Sequence, residues 1–249
     1  MPETVIGTRT KLELMSKTHG AIRVPLAQSF DYTPKYTERT IFEFDRSDAI
    51  LIVSVFDGVD VKFDYFDTDS HLVDSVFNDL SPAATVTKND PSTLKHFNGM
   101  LNIRSESTGK IFQSVYMKEA RVKGFAATEP VREESKITVD ASALNVIRLK
   151  GAAIMYVRML DFDPDPAVFL QGASNSEVDL NFPDVPGPYV ITLPHTAVAI
   201  DPAGSLSLRV LKNGNEVTTG FTLTTTTFTV PTEPADTDIW ELWAAYIDS

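Results

Sequence analysis

Residues 59–65 constrain this chain most: Val59, Val61, Phe63 and Tyr65 alternate with Asp60, Lys62 and Asp64. Successive side chains of a strand point to opposite faces, so this pattern specifies a strand with one buried and one wet face. A helix would scatter the four apolar residues around its axis. The preceding run, 49–56 (AILIVSVF), is apolar in both phases, the pattern of a strand buried on both faces. Asp57-Gly58 between the two runs predicts a two-residue hairpin turn. Tyr65-Phe66 puts aromatics on successive positions, so one of them must leave the core face. Further strands are expected around 3–14, 20–30, 37–45, 99–105, 110–118, 135–140 and 146–159, with a polar loop near 128–135.

One segment changes period. Across 67–82 (DTDSHLVDSVFNDLSP), Leu72, Val73, Val76, Phe77 and Leu80 form a stripe at helical spacing. Asp69 or Ser70 can cap the first turn by accepting orphan backbone N–H groups, and Pro82 stops the helix. A helix over about 69–80, packing through those five residues, is therefore expected. Beyond residue 165 the text returns to strands and turns. Leu206, Leu208 and Val210 alternate into Asn213-Gly214, the pair favoured where both turn residues need positive φ. Eight of the residues from 217 to 230 are threonine, which favours strands while keeping one face polar. The apolar phase flips between Phe221/Leu223 and Phe228/Val230, so a turn or bulge must lie within 224–227.

Charge divides the chain in the same place. Residues 1–160 carry 20 Lys and Arg against 21 Asp and Glu, and residues 161–249 carry 2 against 13. Two surfaces so different predict two β domains, 1–160 and 169–249, joined by a Pro- and Asp-rich linker at 161–168. The fold class expected is mainly β, with the single flanking helix and a small C-terminal β-sandwich. The net charge of −12 argues against wrapping nucleic acid through its phosphates. With no cysteine, thiol catalysis and thiolate metal sites are excluded. No apolar stretch reaches membrane-spanning length, so no membrane partner is expected.

Asp161, Asp163 and Asp165 match the first three ligand positions of a calcium-binding EF-hand loop. That loop needs glycine at its sixth position and glutamate at its twelfth, where this chain has Pro166 and Gly172. Prolines 164 and 166 stiffen the stretch, so a solvated linker is the first reading and a weak calcium site the second. The four histidines are dispersed, and no nucleophile elbow, phosphate loop or dinucleotide fingerprint occurs. No enzyme and no cofactor are expected. A sugar-binding β protein is the rival class, and Trp240 with Trp243 supplies its only tryptophan pair, three residues apart and so on opposite faces of a strand.

The run 52–80 (IVSVFDGVDVKFDYFDTDSHLVDSVFNDL), with 97–125 (FNGMLNIRSESTGKIFQSVYMKEARVKGF), resembles the tail-tube, or major tail, proteins of long-tailed bacteriophages. The likeness is one of layout over about residues 1–160, with the stripe from Leu72 to Leu80 at the position of that family's helix. The stretch 207–247 resembles the small Ig-like β modules that some of these proteins carry at the C-terminus. The resemblance implies a virion structural protein, made in the host cytoplasm and built into the tail. It implies hexameric rings stacked into a tube, with the same chain and other tail proteins as partners and DNA passing through the lumen without specific binding. Such a tube needs sheet edges closed by neighbouring copies, and the candidate edge and loop segments are 31–48, with Ile41, Phe42 and Phe44 as expected subunit contacts, and the loop 126–136. A head-decoration or baseplate protein is the alternative within that class.

Overall fold

The computed structural model describes residues 10–16, 20–24, 27–42, 49–67, 96–105, 107–128, 135–160, 177–182, 188–201, 204–235 and 237–248. Within them the chain is all strand, turn and irregular backbone, in agreement with the expected β class. The expected helix and its stripe Leu72, Val73, Val76, Phe77 and Leu80 lie outside the described residues. The linker 161–168, with Asp161, Asp163 and Asp165, and Phe44 lie outside them as well.

Among the described residues of the first 160 there are eight strands: β1 (Thr10–Ser16), β2 (Gly20–Arg23), β3 (Ser29–Phe42), β4 (Ala49–Asp67), β5 (His96–Arg104), β6 (Ile111–Thr128), β7 (Ser135–Lys150) and β8 (Ala153–Leu160). The first seven form one antiparallel sheet in the order β2-β1-β5-β6-β7-β4-β3. The strand expected over 146–159 is two strands divided at Gly151. Positive φ there (71°) turns the chain out of the first sheet and into a second.

That second sheet takes β8 together with β9 (Glu177–Asn181), β11 (Ser207–Lys212), β12 (Asn215–Glu216) and β15 (Ile239–Tyr246), in the order β12-β11-β15-β8-β9. A third, three-stranded sheet runs β10-β14-β13, from β10 (Tyr189–Thr192), β14 (Thr227–Val230) and β13 (Thr222–Leu223). The β11–β12 turn is Asn213-Gly214, both at positive φ (53° and 76°), as its sequence requires. The reversal expected within 224–227 is the β13–β14 turn, where Thr224 N–H donates to the Thr227 carbonyl at 2.9 Å.

The three sheets stack as layers with the second in the middle. One face of the first sheet collects Leu12, Leu14, Phe63, Tyr65, Phe97 and Val139 into a core of its own. Its other face offers Met15, Ala21, Met100 and Tyr116 to Ile154, Tyr156, Leu211 and Trp243 of the second sheet. The far side of the second sheet, with Met155, Val157, Trp240 and Leu242, packs on Ile191, Phe228 and Val230 of the third. Alternation thus assigns each β15 tryptophan to a different interface. All eight residues of β8 are buried, as a strand covered on both faces must be.

Trp243 is fully buried, its ring 4.9 Å from that of Tyr156 and 5.7 Å from that of Tyr116. Polar bonds seal the same layer. The Asn102 amide donates to the Ile154 carbonyl and accepts from the Ile154 N–H, both at 3.1 Å, and the Asp248 carboxylate accepts from Ile111 N–H at 2.8 Å. Trp243→Ala is expected to cost about 3–5 kcal/mol, the transfer term plus the cavity left between two sheets. Urea denaturation measures it, and a loss under about 1 kcal/mol would mean the layers do not depend on this ring.

Candidate assembly surface

The Asp57-Gly58 pair does not make the predicted hairpin turn. β4 runs straight through it, and the reversal into β3 comes earlier, between Phe42 and Ala49. The positive φ that Gly58 supplies (111°) is spent on a β-bulge: Lys35 pairs with Gly58 and Tyr36 with Phe56, leaving Asp57 as the extra residue. Bulges bend and twist a strand pair, and at this one the sheet parts. β7 pairs with β4 only from Val59 onward, opposite Ala143. Past that point 36–42 and 49–56 pair with each other and, among the described residues, with no other strand.

The result is a two-stranded arm standing off the sheet. At its base Tyr36, Val55 and Phe56 are exposed, at 63%, 37% and 44%, with the two rings in edge contact at 5.7 Å. The run 49–56 was expected to be buried on both faces, and Ser54 to Phe56 are exposed on both. Ile41 and Phe42 lie near the arm's tip, Ile41 opposite Leu51 and Phe42 opposite Ala49. Tyr36 and Phe56 are the residues the sequence reading missed. Their signal was an apolar run followed by a glycine that need not turn the chain.

Below the arm the wet face of β4 carries paired charge. Asp60 takes an ion pair from Lys35 at 2.6 Å and another from Lys123, and Asp64 takes one from Lys136 at 3.1 Å and a hydrogen bond from Thr138 at 2.6 Å. The Lys123 hydrogen bond first, then that from Lys35, holds the Asp60 carboxyl below its ordinary value. The groups are solvated, so the pairing shapes the arm's root more than it stabilises the fold.

A second constellation joins the sheets. Arg209 of β11 is buried; its Nη1 donates to Asn98 Oδ1 at 2.8 Å, Nη2 pairs with the Glu119 carboxylate, and Nε lies 3.2 Å from Glu216. Glu216 also meets Lys118 at 2.7 Å. Burial pushes the Glu216 carboxyl up, but the Lys118 hydrogen bond and the two cations outweigh it and hold it low. Glu119 sits in the left-handed region (φ 45°), unusual for a side chain with Cβ. It is the extra residue of a bulge in β6, which is why Val115 and Met117 share a buried face with Ala120 and Val122. That phase flip is legible in the sequence once sought.

Among the described residues no three His, Asp or Glu side chains group as a metal site, and no helix is long and apolar enough to cross a membrane. Both tryptophans are buried, so neither offers a platform to a sugar ring.

No protein-family model and no curated protein matches the chain. Solved structures similar to part of it include the SPP1 tail tube, with TM-score 0.38, 10% identity, 59% of this chain and 80% of that one. The sheath–tube complex of the extracellular contractile injection system PVC gives TM-score 0.36 at 7% identity, over 60% and 94%. Hcp1 from Salmonella typhimurium gives TM-score 0.34 at 12% identity, over 57% and 87%.

The Asp60 pairing has a checkable sign. A folded-state pKa below the unfolded value, near 3.8, adds stability above that value and loses it as pH falls through the lower folded one. Urea midpoints of the wild type and Asp60→Asn should therefore differ near pH 6 and converge between about pH 4 and pH 2. A constant gap across that range would remove the carboxylate from the account.

Proposed function

We propose that the chain is a non-enzymatic structural subunit of a phage-type tail tube, and that copies join through the β3–β4 arm. One observation carries the reading: the run 49–56, written for burial on two faces, leaves its own sheet, and its residues Val55 and Phe56 are exposed on opposite faces. A two-stranded ribbon is at best marginally stable alone in water, so such an arm is a feature to be covered. The natural cover is another copy, because among the described residues β3 also presents a fourteen-residue edge at the end of the seven-stranded sheet. Open edges of that length template association, and in a closed ring each is paired by the next subunit.

The layout that resembles tail-tube proteins in the sequence supports the same reading. In it the subunits form rings of six, the rings stack, and DNA passes along the lumen unbound. The pairing of Asp60 and Asp64 with lysines leaves fewer free cations to capture phosphates, which suits a conduit. The strands after the linker, which build the second sheet onto β8 and supply the third, are then a module fixed to the wall through Trp243 and Arg209. The division into domains at 161–168 and the contacts of Ile41, Phe42 and Phe44 belong to this proposal.

Negative-stain electron microscopy with light scattering tests it. The wild type should form rings or striated tubes, and Tyr36→Glu with Phe56→Glu should leave a folded monomer. Each ring forgoes about 1.5–3 kcal/mol of burial per contact and leaves a charge in its place. Tubes from the double variant would remove the arm from the contact, and a wild type that stays monomeric with purified tail components present would overturn the reading.

A further inference from the structure

Several irregularities of the first sheet fall on one line. Asn98 is skipped in the β5–β6 ladder, Glu119 is the extra residue of β6, and Leu144 stands opposite it on β7, exposed at 58%. On β4 the line reaches Asp57-Gly58, and on β3 the step between Lys35 and Tyr36. Irregular positions on β5, β6, β4 and β3, with Leu144 of β7 between them, therefore stand at one level, and a sheet disturbed across its width is creased there. Beyond the crease lies the arm.

Arg209 holds one end of that line from the second sheet. Asn98 Oδ1 accepts from the Arg209 guanidinium at 2.8 Å, from Glu119 N–H at 3.1 Å and from Tyr116 Oη at 3.3 Å, so the Asn98 side chain and Arg209 together fix the bulge. The contact continues through backbone. Ala120, next to Glu119, pairs with Ala143, and the Ala143 carbonyl oxygen lies 2.9 Å from where a Cβ on Gly58 would stand. Both alanines are buried and small, so a shift at the Glu119 bulge has no slack to take it up before Gly58.

We propose that Arg209 is a positioning residue for the arm: by holding Glu119 in its left-handed conformation against Asn98, it sets the angle at which β3 and β4 leave the sheet. This deepens the reading of the arm as the joining element, since it makes the module beyond β8 part of what aims that element. The role differs from gluing sheets together, which Trp243 does through its ring contacts with Tyr156 and Tyr116.

The chain has no cysteine, so spin labels can be placed at will. A pair at Glu38→Cys and Asp140→Cys spans the crease, and a control pair at Asp31→Cys and Ala126→Cys lies on one side of it. Pulsed electron–electron distance distributions are read with the labelled full chain diluted in unlabelled chain, so that they report arm geometry whether or not tubes form. Arg209→Met should roughly double the width of the spanning distribution or shift its centre, and leave the control pair unchanged. Adding Glu119→Gly should restore it, because glycine holds the left-handed bulge without help. If Arg209→Met does not fold, Glu119→Gln, which keeps Arg209 on Asn98 and Glu216, should broaden the spanning pair alone. An unchanged spanning distribution in a folded variant, or equal broadening of both pairs, would overturn the proposal. A broadened spanning distribution with tubes still forming would count against the arm's joining role and not against this one.

Discussion

The structure depends on a middle sheet that is covered on both sides. β8 and β15 send alternate side chains into two different cores, and that is affordable only because a sheet stands on each face. The aromatic layer of Tyr116, Tyr156 and Trp243 anchors one of those cores. The same layer carries buried charge, with Arg158, Arg209 and Glu241 all nearly inaccessible. Charges cannot be left unpaired there, so the polar partners of Arg209 follow from its burial and fix how the sheets sit.

From that fixed layer the first sheet extends outward, and its bulges decide what it presents. An extra residue in β6 keeps its apolar set on one face, and an extra residue in β4 releases the arm. Bulges are local events of one residue each. Aligned across neighbouring strands, they change the shape of a whole sheet.

Much of the strand content was legible. Val59 to Tyr65, the Asn213-Gly214 turn and the reversal at 224–227 are where period and turn chemistry place them, and Tyr65 is core while Phe66 is half-buried. Two expectations failed for one reason. Asp57-Gly58 and Gly151 both use positive φ, but a glycine states only that the backbone may turn left-handed. Whether that serves a hairpin, a bulge or a corner between sheets depends on what lies on either side. The candidate assembly surface was half legible: the region around 31–48 was marked, while the exposure of Tyr36 and Phe56 was known only from the structure.

By itself the sequence determined the β class, the alternation of each strand and the acidic character of the last third, because these are local properties of period and composition. Tertiary structure alone decided that β8 leaves the sheet of β7 for that of β15, and that Arg209 reaches Asn98 and Glu119, 111 and 90 residues away. It also decided that the most apolar run in the chain stands partly in solvent. Each of these is a matter of which strands become neighbours, and neighbours are chosen by the burial of whole faces, a quantity that no single stretch of sequence contains.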